Sequence, residues 1–192
     1  MQRPPEDGLR LFADQLPAMG PDDLRTICQP LDFYGANIYS GKSGVAGEDG
    51  CWQPVRRPDG YALTAMEWPV TPDVLYWGPR FLHERYGLPV VVTENGMANC
   101  DWVHLDGRVH DPQRIDFLSR YLRAYGRAIG EGLPALGYIV WSVMDNFEWS
   151  FGYKRRFGLI HVDYATGART PKDSAHWYRQ VIASNGGIVE QN

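Results

Sequence analysis

Residues 89–99 read PVVVTENGMAN: three valines and a threonine run straight into Glu94, Asn95 and Gly96. A short apolar run bounded by proline and glycine reads as a strand buried on both faces, the form that strands of a parallel sheet take. A carboxylate at the end of such a strand is costly unless it is paired or put to use. Glu94 is therefore the first residue to explain. Two other segments share the pattern, Leu31 to Tyr39 (LDFYGANIY) and Leu136 to Ser142 (LGYIVWS), and both also end in polar or aromatic groups.

Helical patterns lie between these segments. Pro72 through Tyr86 puts Val74, Leu75, Phe81 and Leu82 on one stripe, and Gly87 with Pro89 stops it. Asp111 and Pro112 have the form of an N-cap followed by a first-turn proline. Ile115, Leu118, Tyr121, Leu122, Tyr125 and Ile129 then keep helical spacing as far as Gly132. A third helix is predicted from near Pro171, with Trp177, Tyr178, Val181 and Ile182 on one side and Asn185-Gly186-Gly187 as its breaker. This alternation predicts an α/β fold with parallel strands, either an open doubly wound sheet or part of a (β/α)8 barrel. No GxGxxG or GxxxxGK[ST] follows any strand, so the open sheet lacks its usual phosphate-cradling loop. In a barrel, chemistry gathers where strands end, which directs attention to Asn37 and Tyr39, to Glu94 and Asn95, and to Trp141 onward.

Composition narrows the function classes. With 192 residues, 44% hydrophobic and 13% aromatic, the chain can bury one sizeable core, and its aromatic load suits a bulky core or a site that stacks flat ligands such as sugars. The net charge of −4, with no block of like charges, argues against nucleic acid as a partner. Lys154, Arg155 and Arg156 form a compact basic triplet, expected to be a solvated loop. Cys28, Cys51 and Cys100 make no CxxC pattern and read as reduced thiols of a cytoplasmic protein. His83, His104, His110, His161 and His176 show neither HxxxH nor paired acid spacing, so neither a metal nor another cofactor is expected. MQRPPEDGLR (residues 1–10) lacks the apolar core of a signal peptide, and no apolar run reaches the roughly 18 residues of a membrane span. The sequence as it stands is expected to be neither exported by its own signal nor inserted in a membrane.

The segments that end the strands, GANIYS (residues 35–40), TENG (93–96) and WSVMDNFEWSFGYKRRFGL (141–159), together resemble glycoside hydrolase family 1, the retaining β-glucosidase and β-galactosidase group. HDPQRIDFL (110–118) and RTPKDSAHWY (169–178) extend the resemblance from about Leu9 to Ile182. The resemblance implies that Glu94 is the catalytic nucleophile, which attacks the anomeric carbon and holds a covalent glycosyl intermediate. It implies that Tyr39 orients that carboxylate, with Asn37 two residues earlier on the same strand face. Glu148 and Trp149 match a sugar-recognition pair, a carboxylate acceptor beside an indole donor, and Trp141 matches the platform under the same ring. Phe157 is carried over as a further lining residue. Trp68, in TAMEWPVTP (64–72), matches an aromatic on the aglycone side, although Glu67 stands where the family usually has glycine. A carboxylate at Glu148 would repel a phosphate, so the implied substrate is an unphosphorylated β-glucoside or cello-oligosaccharide.

Retaining glycosidases need a second carboxylate, roughly 5–5.5 Å from the nucleophile, to protonate the leaving oxygen. In the family it lies in an Asn-Glu-Pro motif, and the 192 residues contain none. Residues 1–192 are accordingly expected to be the C-terminal part of a (β/α)8 catalytic domain, about strands six to eight. The expected partner is a complementary N-terminal half-barrel chain, or copies of the chain itself. On this reading the chain is an enzyme portion, inactive in isolation; the alternative is a noncatalytic carbohydrate-binding or assembly fragment.

Overall fold

A computed structural model describes residues 6–20, 22–48 and 51–190. The chain divides into two compact units, residues 1–32 and 33–192. The first holds α1 (Glu6–Leu11), a 3-10 turn (Ala13–Gln15) and α2 (Asp23–Ile27). Residues 1–5 of the stretch read for a signal peptide lie outside the described residues.

The second unit runs, in chain order, β1 (Tyr34–Asn37), β2 (Gly44–Ala46), β3 (Trp52–Pro54), α3 (Val74–Tyr86), β4 (Val90–Asn95), α4 (Pro112–Gly130) and β5 (Ala135–Val140). A 3-10 turn (Trp149–Phe151), β6 (Ile160–Val162), β7 (Arg169–Pro171), α5 (Asp173–Ala183) and α6 (Gly187–Glu190) complete it. Strands β1, β4 and β5 form a parallel sheet in the order β1-β4-β5, so the valine run is the central strand. Gly35 lies opposite Val91 and Ala36 opposite Val92, while Val92 lies opposite Tyr138 on the other side. Two antiparallel pairs, β2–β3 and β6–β7, sit within segments that the periodicity leaves as loops.

The helices end where local chemistry stops them. At Gly87 the chain turns left-handed (φ 67°) and its N–H returns to the His83 carbonyl, closing α3. In α4, Pro112 occupies the first turn, where its missing N–H costs no hydrogen bond. The core forms between one face of the sheet and these helices. Val90, Val92 and Val140 meet Leu75 of α3 and Phe117, Leu118, Tyr121, Tyr125 and Ala128 of α4, with Ala175, Trp177 and Tyr178 of α5 packed alongside.

Several expectations need correcting. The first strand is shorter than Leu31–Tyr39, and Leu31 and Phe33 are exposed ahead of it. The strands are not buried on both faces: Gly35, Asn37, Leu136 and Ile139 are exposed. Among the described residues no strand pairs with the outer edge of β1 or of β5. Phe81, Ile129 and Ile182 have the right helical spacing but are exposed, because the helix surfaces they occupy are uncovered. No described helix is long and apolar enough to cross a membrane.

Candidate active site

The ladder on both sides of β4 loses its regular register just as the strand ends, between Ala36 and Asn37 on one side and between Val92 and Asn95 on the other. Past those shifts single bonds hold the backbone. The Ile38 N–H donates to the Glu94 carbonyl and the Trp141 N–H to the Asn95 carbonyl, each at 2.8 Å. Gly96 then passes so close to β5 that a Cβ there would lie 1.9 Å from the Trp141 carbonyl oxygen. No other residue fits this turn. The Trp141–Ser142 peptide is cis.

This turn presents Glu94 to the Tyr39 hydroxyl, which donates to Glu94 Oε2 at 2.6 Å. Burial, reinforced by that hydrogen bond and by the Glu94 charge, pushes the Tyr39 phenol far above its ordinary value. Tyr39 therefore stays a proton donor and holds the carboxylate. Around its ring, Trp68 packs edge-on at 5.2 Å between centroids and Phe157 at 6.1 Å. Glu148 shares the site electrostatically. Burial raises its pKa, the hydrogen bond from Trp141 opposes the rise, and the Glu94 charge adds to it.

Two of the residues carried over from the motifs stand apart from this cluster. The Asn37 carboxamide is exposed and accepts from Thr93 Oγ1 at 2.7 Å, not from any group at Glu94. Trp149, in the 3-10 turn, is 82% exposed. Glu67, the departure noted beside Trp68, has φ 61°, the left-handed region that favours glycine. The amide-bearing Asn95 between Glu94 and Gly96 is completely buried, and its side chain reaches both neighbouring strands.

A buried charge network underlies the segment that carries Trp141 and Glu148. Lys172 Nζ donates to Asp101 Oδ2 at 2.6 Å and to Asp145 Oδ1 at 2.8 Å, with all three side chains fully buried. Arg114 bonds both Asp101 and Asp111, and Arg156 bonds Asp145 at 2.6 Å. Burial pushes Asp101 up, but Arg114 and Lys172 outweigh it and hold the carboxyl below its ordinary value. Burial and the Arg114 charge push Lys172 below its own, against Asp101 and Asp145. Gly158 fits because a Cβ there would lie 2.1 Å from the Asp145 nitrogen.

Local reading missed this network. Asp111 does occupy the N-cap position of α4, but its carboxylate makes no cap bond there. It accepts instead from the N–H and hydroxyl of Ser174, at 2.8 and 2.6 Å, in the first turn of α5. Nor is the basic triplet wholly solvated, since Arg156 also bonds the Val162 carbonyl and lies over the Tyr164 ring. The available signal was Arg114, a charge in the buried stripe of α4 with Phe117, Leu118 and Tyr121. On the surface nearby, His110 bridges Asp173 and Asp106 at 2.5 and 2.9 Å, an acid pairing that sequence spacing did not suggest. Among the described residues no group of three His, Cys, Asp or Glu side chains is placed to hold a metal ion.

The family model described as Glycosyl hydrolase family 1 matches residues 5–187. Beta-glucosidase A of Thermotoga maritima is 42% identical over 183 residues, covering 95% of this chain and 41% of its own. The bifunctional beta-D-glucosidase/beta-D-fucosidase of Bifidobacterium breve is 44% identical over 185 residues, covering 85% of this chain and 39% of its own. The solved beta-glucosidase from Thermotoga maritima in complex with castanospermine superposes with a TM-score of 0.85 at 43% identity, over 95% of this chain and 41% of that one. The chain therefore spans about two fifths of the length of the relatives it matches. Its parallel sheet is part of a (β/α)8 barrel and is not closed.

Proposed function

We propose, from the premise that the chain belongs to glycosyl hydrolase family 1, that it is the nucleophile-bearing portion of a retaining β-glucosidase, about strands six to eight of the barrel. Its substrate is an unphosphorylated β-D-glucoside, with β-D-fucosides or galactosides also in reach, cleaved from the non-reducing end. The observation that carries this reading is the Tyr39–Glu94 pair at the end of β4. A Glu94 carboxylate oxygen forms a bond to the anomeric carbon as the bond from that carbon to the leaving oxygen breaks, and water later releases the sugar. Glu148, Trp141 and Trp149 hold the sugar hydroxyls and ring, Trp68 and Phe157 line the site, and Asn37 borders it on β1.

Ordinary glucosides also need a general acid, since an alkoxide leaves only when protonated. With no Asn-Glu-Pro among the 192 residues, we propose that this carboxylate comes with the complementary N-terminal half of the barrel. Turnover then requires that partner. A 2-deoxy-2-fluoro-β-D-glucoside bearing dinitrophenolate tests the nucleophile alone, because this leaving group departs without a proton. Mass spectrometry should find the fluoroglucosyl adduct on Glu94 in the wild type and none in Glu94→Gln. Absence of the adduct both with and without the complementary half would leave the chain as a noncatalytic carbohydrate-binding or assembly fragment.

A further inference from the structure

Asn95 follows the register shifts on both flanks of β4, and its carboxamide bridges the two sides. Nδ2 donates to the Ile38 carbonyl at 2.8 Å, on the β1 side, and Oδ1 accepts from the Tyr138 hydroxyl at 2.7 Å, on the β5 side. The Ile38 carbonyl can only accept, so the amide has one orientation that satisfies both contacts. The side chain is fully buried, where an unmet amide would be costly. Ile38 is thereby held twice, through its N–H to the Glu94 carbonyl and through its own carbonyl to Asn95. The next residue, Tyr39, returns its hydroxyl to Glu94. Glu94 and Asn95 on β4, with Ile38 and Tyr39 beyond β1, thus close a ring of hydrogen bonds around the carboxylate.

We propose that Asn95 is a positioning residue, which sets the separation and facing of Glu94 and Tyr39 by bridging both neighbouring strands just past their register shifts. The Ile38 carbonyl sets which way the amide faces, and the Tyr138 hydroxyl, donating to its oxygen, ties β5 to the same pair. This deepens the reading of Glu94 as the nucleophile and rests on it for its catalytic meaning; the hydrogen-bond ring itself does not depend on a sugar.

The test is the proton of the Tyr39–Glu94 bond. A short phenol–carboxylate bond gives a downfield, slowly exchanging hydroxyl resonance, assigned by its absence in Tyr39→Phe. Asn95→Ala should lose that resonance while the far-UV circular dichroism and the amide spectrum of α4 stay as in the wild type. An unchanged resonance in folded Asn95→Ala overturns the proposal. If that variant does not fold, Tyr138→Phe decides: a shifted or broadened resonance supports the proposal and an unchanged one overturns it. The fluoroglucoside trap run alongside on the wild type separates the two readings. Without an adduct the nucleophile assignment falls, while the resonance still decides whether Asn95 positions the pair.

Discussion

Where β4 ends, Glu94 is held by Tyr39, Asn95 reaches both neighbouring strands, and six charged side chains lie paired beneath the segment that follows β5. At the flanks of the same sheet, Leu136 and Ile139 of β5 are exposed, as are Trp77 and Phe81, which stack on one side of α3. The strand ends meet their polar and ionic demands with groups of this chain, whereas the flanks leave apolar surface in water. Exposed apolar surface of this kind marks an interaction face. The two regions should therefore respond to substitution in opposite ways.

Lys172→Ala should have the largest effect. Removing the cation leaves Asp101 and Asp145 buried without it, and losing one partner of a buried ionic group costs about 3–5 kcal/mol. Urea unfolding of the isolated chain measures it; a loss below about 1 kcal/mol would mean that the strand ends are not self-supporting. Tyr39→Phe comes next. A hydrogen bond to a charged group is worth about 1.5–3 kcal/mol, so the rate constant for fluoroglucoside trapping should fall roughly ten- to hundredfold with the fold intact. At the flank, Leu136→Lys with Ile139→Lys should change stability by no more than about 0.5 kcal/mol and should weaken association with the complementary half-barrel or with itself, read by size-exclusion chromatography. A larger loss of stability would show that the flank is already covered.

The smallest response separates the surface from the buried network. Hydrogen bonds with Asp173 and Asp106 hold the His110 imidazole above its ordinary value. Its contribution is fully present below the unfolded value, about 6.5, and fades as pH rises through the higher folded value. Asp106 is lowered by its hydrogen bonds from His110 and Arg108. Burial raises Asp173, but its bonds from His110 and Arg108 outweigh that. Both carboxylates contribute above their unfolded value, about 3.9, and lose their contribution on acidification. The clasp should therefore be tightest between about pH 4 and 6.5. Amide exchange at residues 104–110, corrected for the intrinsic pH dependence, should show greatest protection in that window, with α4 unaffected.

The order of elements was legible because period and punctuation are local: valines, a C-terminal glycine and a first-turn proline need no knowledge of neighbours. Cover was not. Phe81, Ile129 and Ile182 keep helical spacing whether or not anything lies against them, and spacing alone does not reveal an uncovered stripe. The candidate site reads from the sequence as a set of motif positions, from Tyr39 through Glu94 to Glu148, and not as a geometry. Asn37 shares a face with Tyr39 on paper, yet it bonds Thr93. Asp111 has the spacing of an ordinary N-cap, and nothing within a few residues reveals that its carboxylate serves a helix 63 positions away.

That long reach bears on how the protein is made. Asp101, Asp111 and Arg114 leave the ribosome well before Lys172 and Ser174, and until those later residues arrive Asp101 lacks its buried lysine and Asp111 the helix that it bonds. The segment carrying Glu148 is likewise seated on Asp145, whose buried cation is Lys172. Chains fold from the amino end as they emerge, but here residues at the start of α5, long after α4, close the network under the site.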